Sequence, residues 1–116
     1  MKIAKIIMFS LVVLGLVFSG AFAAGDVAKG KALFNDAKFA GGAKACNECH
    51  ANGKGLEKAG DKKEFNLMGK MQKSLEEAVN ACIVGASKGK AIDVKSAQMQ
   101  DMTAYIKSLK KKSAGY

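Results

Sequence analysis

The sequence predicts an all-α domain, and three observations carry that prediction. Apolar residues recur at helical spacing in three separate segments. β-branched runs, the main strand signal, are confined to the N-terminal stretch. Beyond that stretch lie 93 of the 116 residues, enough for one small domain with a thin core.

The N-terminal stretch reads as an export signal. Lys2 and Lys5 make a positive start, and Ile6 to Phe22 carries no charge. Ala21-Phe22-Ala23 places small residues at the two positions a signal peptidase reads. The apolar run is slightly short for a membrane span of about 20 residues. Cleavage after Ala23 is therefore expected, with 1–23 as signal and 24–116 as a single domain. Only an uncleaved signal would tie the chain to a membrane. The expected compartment is the periplasm.

Each element of the domain follows from local pattern. In "DVAKGKALFNDAKF", Asp26 to Phe39, an apolar stripe of Val27, Leu33, Phe34 and Ala37 predicts a helix capped by Asp26. Gly30 inside it costs about 1 kcal/mol relative to Ala, which points to a close helix crossing. "AGGAK", 40–44, breaks that helix. "ANGKGLEKAGDKKE", 51–64, is glycine-rich and charged, so it reads as a loop. "FNLMGKM", 65–71, reads as a short helical turn. Ser74 and Glu77 form a capping box ahead of a helix whose one face carries Leu75, Val79, Cys82 and Ala86. "SKGK", 87–90, ends it. Asp93 or Ser96 starts the last helix, with Met99, Met102, Ile106 and Leu109 as its stripe and Tyr105 beside them. Lys110 to Lys112 suit its negative C-terminal end.

Charge excludes one class of partner. Removing Lys2 and Lys5 leaves 17 lysines against 10 acids, a net charge of +7, and the chain has no Arg. Lysines spread along a chain without a base-reading element do not point to nucleic acid. They suit solubility and steering toward acidic partner proteins. A monomer is expected.

The chemistry lies in "KACNECHANGKG", 44–55, where His50 follows Cys46-x-x-Cys49. A redox dithiol would sit in a βαβ pattern, which is absent. A zinc site needs a second ligand pair, but His50 is the sole histidine and Cys82 stands alone. C-x-x-C-H is also the attachment signature of c-type haem. Two thiols add to the two porphyrin vinyl groups, and the adjacent imidazole lies under the iron. One covalent haem c is expected, held by Cys46, Cys49 and His50.

With these residues in place the chain resembles the class I cytochromes c over essentially the whole region beyond the signal. Gly30 and Phe34 in "KGKALFND" and Tyr105 in "DMTAYIKSL" stand where that family crosses its N- and C-terminal helices. The resemblance implies that fold, with the haem in a loop-and-helix shell. Most members carry a Met ligand in a loop before the last helix, and "SKGKAIDVKS" here has none. The candidates for the sixth ligand are then Met68 and Met71 ahead of the middle helix, Met99 and Met102 on the last, and Cys82. Residues 78–109 are also similar to the first haem domain of bacterial thiosulfate dehydrogenases and to the haem subunit of the Sox thiosulfate-oxidising system. The matching residues are Asn80, Cys82, Gly89, Lys90, Ser96, Met99, Ala104 and Tyr105. That resemblance implies that Cys82 ligates the iron.

Three functions fit these readings. The first is a single-electron carrier, not an enzyme. The second is a haem subunit of a sulfur-oxidising enzyme, though one C-x-x-C-H leaves no second haem to take the electrons away. The third is a small-ligand sensor with a labile sixth position.

Overall fold

The computed structural model describes residues 25–114, with side chains to Lys110. The signal reading over 1–23 lies outside the described residues. So do the side chains of Lys111 and Lys112. Among the described residues no helix is long and apolar enough to cross a membrane.

Four helices and one small hairpin make up the domain: α1 (Val27–Phe34), α2 (Cys46–Cys49), β1 (Phe65–Leu67), β2 (Lys70–Gln72), α3 (Leu75–Gly85) and α4 (Ala97–Ala114). Asp26 caps α1 by accepting from the Lys29 N–H at 3.0 Å. The helix ends at Phe34, five residues before the predicted end. Asn35 caps its C-terminus, and the Asp36 carboxylate accepts from the Lys38 N–H at 2.9 Å. Short polar side chains thus offer the backbone an alternative to helical bonding. Val27, predicted on the buried stripe, is exposed.

α1 packs on α4 through the predicted crossing. A Cβ on Gly30 would overlap the Asp101 carbonyl and sit 2.9 Å from the Tyr105 Cβ. Only a hydrogen lets the two backbones approach so closely. One turn on, Phe34 and Tyr105 meet edge to face, with ring centroids 5.1 Å apart. The Asp101 carboxylate accepts from the Asp26 N–H at 2.7 Å, which pins the start of α1 to α4.

Ser96 is the residue that caps α4: its Oγ accepts from the Met99 N–H at 3.2 Å. The predicted stripe of Met99, Met102, Tyr105, Ile106 and Leu109 is buried. Ser74 caps α3 by accepting from the Glu77 N–H at 3.1 Å. The Glu77 carboxylate reaches back to the Lys73 N–H, one residue before the box position. α3 buries Leu75, Ala78, Val79 and Ile83. Ala86, predicted on that face, lies beyond the helix end and is exposed.

Two predicted irregular segments are ordered differently. Residues 65–71 form no helical turn. Phe65 pairs with Gln72 and Leu67 with Lys70 across an antiparallel hairpin. Met68 and Gly69 at its tip both have positive φ (52° and 77°), the backbone of a tight two-residue hairpin turn. Alternation sends Phe65 inward and Asn66 outward. The loop 51–64 holds two 3-10 turns, Ala51–Gly53 and Ala59–Asp61. Both dock on α4. Gly53 lies against Leu109, and a Cβ on Gly60 would sit 3.0 Å from the Lys107 Cγ. Asp61 also pairs with Lys110 at 2.9 Å.

Candidate functional site

The single turn of α2 sets Cys46, Cys49 and His50 close together. Positions three and four residues apart share a helix face, so the C-x-x-C-H spacing puts both thiols and the imidazole on one side. The Glu48 carboxylate accepts from the Ala45 N–H at the start of the turn. At its end the His50 N–H donates to the Cys46 carbonyl at 2.9 Å.

The next five residues fold back to orient the ring. His50 Nδ1 lies 3.0 Å from the Lys54 carbonyl oxygen. A carbonyl can only accept, so Nδ1 carries the proton and the Nε2 lone pair is free to bind a metal. The tight return needs positive φ at Asn52, Gly53 and Gly55. The Asn52 N–H donates to the Asn47 side chain at 2.9 Å. Gly55 also runs beside the ring, where an added Cβ would sit 3.6 Å from Nδ1.

Cys46 and His50 open onto a cavity of about 310 Å³, within the size range of small-molecule sites, about 300–1,000 Å³. Its walls are mostly apolar. Phe34 of α1, Phe65 and Leu67 of the hairpin, Val79 of α3, and Met102 and Ile106 of α4 all contribute. Cys82 reaches the cavity from the inner face of α3, and Lys58 and Lys62 stand on the loop side. Cys49 is exposed and lies beside Cys46 at the edge of the site.

Burial pushes the Cys82 thiol above its ordinary value of 9.0, and the nearby Cys49 adds to this. Cys46 is raised mainly by burial and next by Cys82. Cys46 and Cys82 line the same cavity. A cationic metal centre reverses this preference, because coordination deprotonates a thiol.

The sulfur candidates separate cleanly. Cys82 and Met102 line the cavity. Met99 is fully buried but packs in the core away from the cavity. Met68 and Met71 are 64% and 57% exposed. The Met68 thioether lies over Gly85 on the outer side of α3. Neither Met68 nor Met71, both candidates from the sequence, lines the cavity. Met68 sits at the hairpin tip against Gly85, and Met71 is exposed on β2.

The loop 87–96 sends no side chain into the cavity, and Asn80 explains why. Its amide donates to the Ile92 carbonyl at 2.8 Å and accepts from the Ile92 N–H at 2.9 Å. Farther back, the Gly89 N–H donates to the Ile83 carbonyl at 2.8 Å. The loop is clamped along α3 two residues before Cys82. Asn80→Ala leaves two partly buried backbone groups unpaired, at a cost of about 1–3 kcal/mol. The expected result is faster amide exchange at Ile92 by native-state hydrogen exchange. Unchanged protection there would refute the clamp.

Sequence reasoning did not find Lys58, Lys62, Phe65, Leu67 or the Lys54 carbonyl. Residues 51–64 carry no periodicity, and a backbone acceptor has no side-chain signature. The loop residues are placed by its docking on α4, and Phe65 and Leu67 by the hairpin that packs against α3.

The donor set fits a c-type haem. One wall offers the Cys46 thiol and an imidazole with a free nitrogen, with Cys49 exposed in the same helical turn, another offers Cys82, and the remaining walls are mostly apolar. A family model described as "SoxA/TsdA, cytochrome c domain" matches residues 29–115. No curated protein and no solved structure matches the chain.

Proposed function

Because the chain belongs to the SoxA/TsdA cytochrome c domain family, with the class I cytochrome c fold and one covalently bound haem c, we propose that it is an exported electron carrier whose iron is held between His50 and Cys82. The observation that carries this reading is the single cavity onto which both residues open, from α2 and from α3. When bound, the haem supplies a one-electron couple. Cys46 and Cys49 tether the porphyrin. The Lys54 carbonyl holds the His50 ring in the tautomer that presents Nε2. Cys82 would hold the iron as a negatively charged thiolate, which would favour the ferric form and lower the potential relative to Met ligation. The apolar walls keep water from the metal.

The export reading of 1–23 supports work in the periplasm by residues 24–116, as a monomer. Lysines distributed over the surface favour transient, salt-sensitive docking to acidic redox partners. Haem that stays with the protein through denaturation, at one per chain, tests the attachment. The double substitution Cys46→Ser, Cys49→Ser is expected to abolish that retention, and haem retained in the double variant would overturn it.

The family match favours a second reading, a haem subunit of a thiosulfate-oxidising enzyme. Thiosulfate-dependent haem reduction by the protein, lost in Cys82→Ala, would establish it. Reduction only by an electron-donor protein fits the carrier.

A further inference from the structure

The cavity carries positive charge on its loop side, and among the described residues no ion pair neutralises it. Lys58 and Lys62 are the two cationic side chains among its lining residues. They flank the 3-10 turn Ala59–Asp61. That turn is anchored on its other sides. Ala59 is buried in the core, and Gly60 rests on Lys107. Asp61, the acid next to Lys62 in sequence, is engaged by Lys110 at 2.9 Å, and the Glu57 carboxylate next to Lys58 accepts from the Gly55 N–H at 3.0 Å. Among the described residues no carboxylate lies within ion-pair reach of Lys58 or Lys62. The other charged side chains of this loop, Lys54, Glu57, Lys63 and Glu64, do not line the cavity. The chain also has no Arg and no Trp to offer a planar or indole donor.

A haem is amphiphilic, with an apolar ring and two carboxylates on one edge. A site for it needs cations or donors where that edge emerges. We propose that Lys58 and Lys62 pair with the two haem carboxylates and so fix the edge of the porphyrin that faces the loop 54–64. This rests on the haem reading above. Both lysines are exposed, so each pair is screened by solvent and modest in strength. Their role is to orient the ring and to tune the iron. A cation beside the carboxylates stabilises the reduced, more negative centre. It also holds the carboxylates ionised to lower pH.

The test compares haem-loaded wild type with Lys58→Gln, Lys62→Gln and the control Lys63→Gln, by spectroelectrochemical titration from acid to neutral pH. Lys63 carries the same charge one residue away but does not line the cavity. Lys58→Gln and Lys62→Gln are expected to lower the potential. They are also expected to raise, by about 1 unit, the pH below which the potential becomes pH-dependent, because a carboxyl that loses an adjacent cation titrates higher. Lys63→Gln should leave that pH in place. If all three variants behave alike, the lysines contribute surface charge only and the pairing is overturned. A wild-type chain that takes no covalent haem would instead overturn the reading beneath it.

Discussion

Gly30→Ala is expected to lower the melting midpoint by about 10 °C, although Ala is the better helix former. The intrinsic gain is about 1 kcal/mol. Against it stands a methyl group driven into the Asp101 carbonyl. The obstacle is backbone, so no rotamer change relieves it, and α1 must lift from α4. Overpacking of this kind costs about 3 kcal/mol. The net loss of about 2 kcal/mol corresponds to roughly 8–16 °C in a domain of this size. Lifting α1 also disturbs the Phe34–Tyr105 contact and the Asp26–Asp101 bond, which lie on either side of Gly30. Thermal melts of the haem-loaded protein, followed by far-UV circular dichroism, measure the effect. A midpoint unchanged or raised would mean that the helices do not cross at Gly30. Phe34 lines the cavity, so the same substitution is expected to loosen the haem site as well.

Cys82→Ala is expected to give the largest spectroscopic change of any substitution that keeps the haem attached. In the proposed arrangement the covalent tether runs through Cys46 and Cys49, so losing Cys82 would leave the haem in place and remove a ligand. The ferric spectrum should lose its thiolate charge-transfer features and the potential should rise, since a negative ligand favours ferric iron. Met102 is the internal comparison, because it is the other sulfur on the cavity. Met102→Leu is close to volume-conserving, and such swaps usually cost under about 1.5 kcal/mol. It should therefore leave the ferric spectrum unchanged. The opposite pattern, a silent Cys82→Ala and an altered Met102→Leu, would move the sixth ligand to α4. The contrast also separates a ligand from a packing residue, since both side chains contribute to the same wall.

Much of this site was legible before any fold was considered. C-x-x-C-H is a local motif: one helical turn suffices to gather its three side chains, so spacing alone predicts their convergence. The α4 stripe and the Gly30 crossing were legible for a similar reason, since a helix makes sequence spacing into a spatial face. Other expectations failed where local signals competed. Asn35 and Asp36 ended α1 early by bonding their own backbone surroundings. The Met68-Gly69 pair could turn a hairpin as readily as a helix, and the alternation of only three residues per strand was too short to decide.

By itself the sequence determined an all-α chain with a haem-attachment motif, a lone third cysteine and four methionines of undecided role beyond the N-terminal stretch. Only the tertiary structure shows where those sulfurs lie relative to the cavity. It places Cys82 and Met102 on the cavity, Met99 in the core, Met68 against Gly85 of α3, and Met71 in solvent. The physical reason is that these positions depend on contacts between distant segments. The packing of α3 and α4 around a shared cavity, the hairpin turn that carries Met68 outward, and the Asn80 clamp on the following loop each join residues whose local patterns say nothing of one another.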